Sequence, residues 1–383
     1  MAQLRIEERL IGIPSDEVEV IDPDGDVILQ LQKILHTEES ITSQSPSEPD
    51  DHQEPEAHTM NNAATDGRAH ELEREGDLVL ERTVKIDLRV SSRHLMLASQ
   101  VFHAMLDANK FAEGNTLRSQ GSLTIPLEDD PETLIILMHI VHGMTRKVPR
   151  FVALDTLTKL AKLVDYYRLH EVVELFSDTW VASLQEEAFP QSYTPDVVPW
   201  LFISWVFHKE DAFLKLTKIL ICECDSKSID DIDYEDIPIP LPITTKIQEY
   251  RINAIGTVLT VLYNYIATYS TATIICSRGA QACDANMLGS LIKSSAVAEI
   301  WPPPDAPYHD ISFNSLAIQV QEMQIFDICT RGDRYNSFSH GVRDTIQASL
   351  SSVEDQFQGL CLDSFLPRSQ TSENKGSAKV ENR

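Results

Sequence analysis

Three patterns predict an α+β chain whose C-terminal region is mostly helical. Val84, Ile86, Leu88 and Val90 alternate with Lys85, Asp87 and Arg89, the period of a strand with one buried face. Directly after it, Leu95, Ala98, Val101, Phe102, Met105 and Leu106 recur at helical spacing. Beyond Glu187, one segment after another repeats the helical period.

The elements follow in order. In "VEVIDPDGDVILQLQ", Asp22-Pro23-Asp24-Gly25 is turn chemistry and Val27-Ile28-Leu29 reads as a strand. Thr37 to Glu75 holds eleven acids against two bases and few large apolar residues. Such a stretch buries too little surface to offset its ordering entropy, so it reads as a disordered insertion. The strand in "GDLVLERTVKIDLRV" follows. Ser91 or Ser92 suits the cap of the next helix, and Ser99 the cap of a second. "SLTIPL" is a short strand, and Asp130-Pro131 opens "ETLIILMHIVHG", apolar almost all round and therefore buried, with Gly143 beyond its end. "LDTLTKLAKLVDYYRL" and "HEVVELFSDTWVASL" are amphipathic helices parted by a break near Arg168. In the C-terminal half, "PDVVPWLFISWVF", "DAFLKLTKILICEC", "ANMLGSLIKSSAVAEI", "SLAIQVQEMQIF" and "GVRDTIQASLSSVEDQF" all show helical spacing. "DSKSIDDIDYEDIPIPLPIT" interrupts them as an acidic, proline-rich loop, and the tail from Pro367 to Arg383 is polar and reads as disordered.

Composition excludes several classes. The chain has 383 residues, 42% of them hydrophobic, so a large core is available. A formal charge of −27 repels phosphate backbones and anionic membrane faces, which argues against nucleic acid as a partner. "MAQLRIEERLIGIPSD" lacks the apolar core of a secretory signal. The uncharged span between Arg251 and Arg278 is long enough to cross a bilayer. However, Ile255, Leu259, Leu262, Ile266 and Tyr269 oppose a stripe of Asn253, Thr257, Thr260, Asn264 and Thr268, which suits a soluble helix with one buried side. The six cysteines lie between Cys222 and Cys361 and read as reduced thiols of an intracellular protein, nuclear or cytoplasmic.

The order strand, insertion, strand, helix pair, strand, buried helix, helix pair resembles a BTB/POZ domain. "DVIL" or "DLVL" stands for the first strand and "LRVSSRHLMLASQVFHAML" for the second strand and first helix pair. "SLTIPLEDDPETLIILMHIVHG" and "LTKLAKLVDYYRLHEVVELFSDTWVASL" stand for the rest. "DPDGDVIL", "VSSRHLMLAS", "HGMTRKVPR", "LVDYY" and "WLFISWVF" are similar to signatures of BTB proteins from filamentous fungi. The resemblance implies a small mixed sheet with helix pairs. It divides the chain into a first-strand segment (1–36), the insertion (37–75), a BTB core (76–187), a helical region (188–366) and the tail (367–383). It also implies a non-enzymatic scaffold that binds other proteins or a second copy of itself. Phe111-Ala112-Glu113 falls where BTB adaptors of cullin ubiquitin ligases carry a hydrophobic residue, any residue, then Glu. Phe111 then fills a partner pocket while Glu113 fixes register. The competing reading is a loop whose Phe111 packs back on its own domain. A further alternative is a cryptic enzyme or metal protein in the helical region.

No catalytic, cofactor or metal site emerges from spacing. His94 has no nucleophile or orienting acid at a telling distance and reads as a packing histidine. His139 and His142 are three apart on a helix but lack a third ligand. Cys222, Cys224, Cys276 and Cys283 lack CxxC pairing and read as buried thiols. The acids from Asp230 to Asp236 lack the glycine and closing glutamate of a calcium loop. Arg146, Lys147 and Arg150 read as a solvent-facing turn. Glycine-rich phosphate loops, GxSxG and HExxH are all missing.

Overall fold

The computed structural model describes residues 18–38, 79–232, 235–326, 328 and 340–366. The expected insertion, apart from Thr37 and Glu38, and the tail from Pro367 lie outside the described residues. The chain divides into two compact units, one formed by residues 1–91 and 116–131, the other by 92–115 and 132–383. The boundary read at 187/188 falls inside the second unit.

The first unit carries a four-stranded mixed sheet: β1 (Val18–Val20), β2 (Val27–Glu38), β3 (Val79–Val90) and β4 (Leu123–Pro126), in the order β1-β3-β2-β4. β2 and β3 pair antiparallel along their whole length, from Val27↔Val90 to Glu38↔Val79. β1 lies parallel to β3, and β4 parallel to β2. The first Gly-Asp segment leads into β2, while β3 begins at Val79 and the second Gly-Asp, at 76–77, lies outside the described residues. β2 continues two residues into the acidic stretch, where Thr37 faces Leu80. Ladder hydrogen bonds come from the backbone and are indifferent to that composition.

The alternation read in β3 is realised. Val84, Ile86, Leu88 and Val90 are buried, Lys85 and Arg89 are exposed, and Val27, Leu29 and Leu31 continue the apolar face on β2. The turn into β2 is held by Asp22, which accepts from the backbone N–H of Asp24 at its carboxylate and of Gly25 at its carbonyl, both at 3.0 Å. Arg89 Nε donates to the Gly25 carbonyl at 2.9 Å and ties the turn to β3.

The second unit holds the helices, numbered in chain order. α1 (Ser92–Ala98), α2 (Gln100–Leu106) and α3 (Ala112–Gln120, whose last half belongs to the first unit) come before β4. α4 (Pro131–Val141), α5 (Leu154–Tyr167) and α6 (His170–Ala188) follow it. Ser99 caps α2 by accepting from Phe102 N–H at 3.0 Å, and its hydroxyl donates to the Tyr167 carbonyl. Phe102 is fully buried and stacks on Tyr167 with ring centroids 4.6 Å apart. α4 is buried on most sides, and Gly143, at φ +72°, reverses the chain after it. The break between α5 and α6 is at Arg168, which sits in the left-handed region at φ 54°.

Among the described residues, seven more α-helices belong to the second unit: α7 (Val197–Val206), α8 (Glu210–Glu223), α9 (Ser226–Asp230), α10 (Leu241–Tyr269), α11 (Gln281–Val297), α12 (Phe313–Glu322) and α13 (Val342–Gln356). The acidic loop thus contains a one-turn helix, α9. Asp225 caps it, accepting from Ser228 N–H at 2.8 Å. On α10, Ile255, Leu259, Leu262, Ile266 and Tyr269 are buried, while Asn253, Thr257, Thr260, Asn264 and Thr268 are exposed. Among the described residues, no helix is long and apolar enough to cross a membrane.

Candidate functional site

The Phe111 triplet begins at a tight reversal. After α2 the chain turns at Asp107, whose carbonyl accepts from the N–H of Lys110 at 3.0 Å and of Phe111 at 3.4 Å. The Asp107 carboxylate accepts from Asn109 N–H at 3.0 Å. That backbone hydrogen bond leads the causes that hold the carboxyl below its ordinary value. Gly114, on the first turn of α3, lets the Asp107 backbone approach so closely that a Cβ there would meet it at 2.4 Å. The Phe111 carbonyl accepts from Asn115 N–H at 3.4 Å.

This pinned turn leaves the Phe111 side chain 52% exposed, with Glu113 half-buried one residue inside α3. Phe111 does not pack wholly back on its own unit. An exposed aromatic on a fixed backbone loses little conformational freedom when a partner buries it. The Glu113 carboxylate lies two residues on, half-buried beside it.

The remaining sequence candidates do not meet as their spacing along the chain pairs them. His94 is exposed and lies against His142 with ring centroids 4.8 Å apart, while His142 Nδ1 donates to the Met138 carbonyl at 2.9 Å. His139, on α4, is buried, whereas His142, just past the end of α4, is half-buried, so the two histidines have different surroundings. Cys222 and Cys224 are buried free thiols, pushed up to about 11 and about 12, first of all by burial, and are unreactive at neutral pH. In the acidic loop Asp236 pairs with Lys162 at 2.6 Å, and Asp233 lies outside the described residues. Arg146, Lys147 and Arg150 are exposed, as expected of a surface turn.

Two constellations are not visible from spacing. Arg251 on α10 is fully buried. Its Nε donates to the Cys224 carbonyl at 3.0 Å and its Nη1 to the Pro307 carbonyl at 2.8 Å. Its Nη2 donates to the carbonyls of Tyr308 and Ile311. Burial, the leading cause, holds the guanidinium below its ordinary value, with Asp225 opposing. Its Nη1 also donates to Gln248 Oε1 at 3.4 Å, so all five N–H donors of this fork, which anchors the segment before α12, are engaged.

The second constellation joins Cys276 and Cys283, which are buried as expected of thiols, to His340. Their three donor atoms lie within 4.8 Å of one another. Cys283 Sγ is 3.4 Å from His340 Nε2, and Tyr269 Oη is 2.8 Å from His340 Nδ1. The one sequence signal was two cysteines seven positions apart; His340 is too distant along the chain to be associated with them.

No family model, no curated protein and no solved structure matches the chain.

Proposed function

We propose that the chain is a non-enzymatic protein-interaction module of the BTB/POZ kind, with Phe111 and Glu113 at the partner contact. The observation that carries this reading is the half-exposed Phe111 at a turn pinned by Asp107 and Gly114. Surface aromatics on rigid backbone are the residues from which interaction energy is most often drawn. The strongly acidic balance directs the module toward proteins rather than nucleic acid.

The second reading makes the partner a cullin scaffold and the helical region the holder of a ubiquitination target. It is favoured by the spacing of Phe111 and Glu113 at the start of α3. A second copy of the chain is the other partner of the same class.

Affinity purification of the full chain, followed by mass spectrometry and light scattering, tests the proposal. Phe111→Ala should leave the melting temperature within about 1 °C of the parent, since surface substitutions change stability by less than about 0.5 kcal/mol. It should weaken the partner by about thirtyfold, the loss of an anchor worth about 2 kcal/mol. Glu113→Lys should weaken binding through a misplaced charge. A wild-type chain that captures no cullin ends the adaptor reading. A chain that captures no protein and stays monomeric ends the interaction-module reading as well.

A further inference from the structure

We propose that Cys276, Cys283 and His340 form a zinc site that clamps three segments of the helical unit. Cys276 lies in the loop after α10, Cys283 on the first turn of α11, and His340 just before α13. Three separate segments therefore deliver their soft or borderline donors to one point, within 4.8 Å of one another.

The distances suit an ion. Zinc–sulfur bonds of about 2.3 Å and zinc–nitrogen bonds of about 2.0–2.1 Å at a tetrahedral angle place sulfur and nitrogen about 3.6 Å apart. The Cys283 Sγ to His340 Nε2 separation is 3.4 Å. The other ring nitrogen is engaged by Tyr269 Oη at 2.8 Å. With Nδ1–H donating to that oxygen, Nε2 presents its lone pair to the metal, the outer support that ligating histidines ordinarily have.

The loop is shaped around its cysteines. The buried Asp284 carboxylate accepts from the N–H groups of Ile275, at 2.7 Å, and Cys276, at 3.0 Å. The Cys276 carbonyl accepts from Gly279 N–H at 2.8 Å, and Ala280 accepts from Cys283 N–H at 3.0 Å.

Charge and burial select a metal over the alternative, a cysteine nucleophile activated by histidine. Cys283 is 2% exposed and Cys276 4% exposed, so an organic substrate has no approach to either sulfur. Two thiolates and one dication sum to zero, which removes most of the penalty of burying charge. Thiolate and imidazole together favour zinc over magnesium, calcium or manganese, which prefer oxygen donors. Among the described residues three donors gather, and zinc takes one more ligand to complete its tetrahedron.

The test uses the full chain purified under reducing conditions. Elemental analysis should find one zinc per chain. After chelation, cobalt(II) should restore one equivalent, with the intense visible bands of a tetrahedral site and a thiolate charge-transfer band. Cys276→Ser, Cys283→Ser and His340→Ala should each lose that spectrum, whereas Cys222→Ser and Cys361→Ser should keep it. Tyr269→Phe should keep the spectrum and bind about tenfold more weakly. His340→Cys retains a donor and should keep the ion, with a stronger charge-transfer band, so loss of metal in His340→Ala is separable from loss of fold. A Cys276–Cys283 disulfide in the peptide map of freshly reduced, re-purified protein would overturn the site. So would an absent cobalt spectrum, or metal retained equally by all three ligand variants.

Discussion

Phe102 and Arg251 are both fully buried, and they organise their surroundings in opposite ways. Phe102 acts through area: its ring lies flat on Tyr167, and the Ser99 cap fixes the turn that presents it. Arg251 acts through direction: its guanidinium reaches the carbonyls of Cys224, Pro307, Tyr308 and Ile311, residues far apart in sequence. An apolar contact tolerates a change of shape if volume is roughly kept. A planar fork bound to several carbonyls does not tolerate replacement by a point charge.

The largest effect should come from Arg251→Ala. It strands the buried Cys224 carbonyl and three part-buried carbonyls on a second segment and should cost about 5 kcal/mol. Arg251→Lys should recover only a minor part, because one ammonium cannot replace the fork. Denaturant unfolding of both variants measures this, and a lysine variant as stable as the parent would show that charge rather than geometry matters there. Phe102→Ala comes next, at about 4 kcal/mol for a large ring removed from a packed core. Phe102→Leu should restore most of that loss, the reverse of the result at Arg251. If the two positions respond alike to their conservative replacements, the contrast between area and direction fails.

The smallest expected effect is a pH dependence at a third pair, His170 and His208, whose rings lie nearly parallel with centroids 6.1 Å apart. Burial, the leading cause at both, holds each imidazole below its ordinary value of 6.5. Asp165 opposes it at His170, and Asp363 and Glu174 oppose it at His208. Well above 6.5 these sites are neutral in the folded and unfolded chain alike. As pH falls through that value the unfolded chain takes up protons first, and stability is lost until the folded-state values are passed. Melting temperature should therefore drop between about pH 7.5 and about pH 5.5, and the drop should shrink in His170→Gln/His208→Gln. An unchanged slope in the double variant would assign the acid sensitivity elsewhere.

What could be read along the chain was what repeats over a few residues. The alternation from Val84 to Val90 gave the buried face of β3 because successive side chains on a strand point to opposite sides. The two stripes of α10 appeared for the corresponding reason on a helix, and the break at Arg168 and the cap at Ser99 are local chemistry. The triplet at Phe111 was legible as a pattern, but the choice between inward packing and exposure was not. The structure leaves Phe111 52% exposed, beside a turn where the Asp107 backbone closely approaches Gly114.

Sequence by itself thus determined an α+β chain, the strand faces, most helix positions and the absence of a long apolar membrane helix among the described residues. Tertiary structure alone decided the parallel pairing of β1 with β3, the burial of Arg251 and the meeting of Cys276, Cys283 and His340. The reason is the range of the interactions. A dihedral preference or a hydrophobic period is expressed within a turn or two of chain. The carbonyls that hold Arg251 and the imidazole beside Cys283 are brought together only when distant helices pack, and no local pattern records which distant residues will meet.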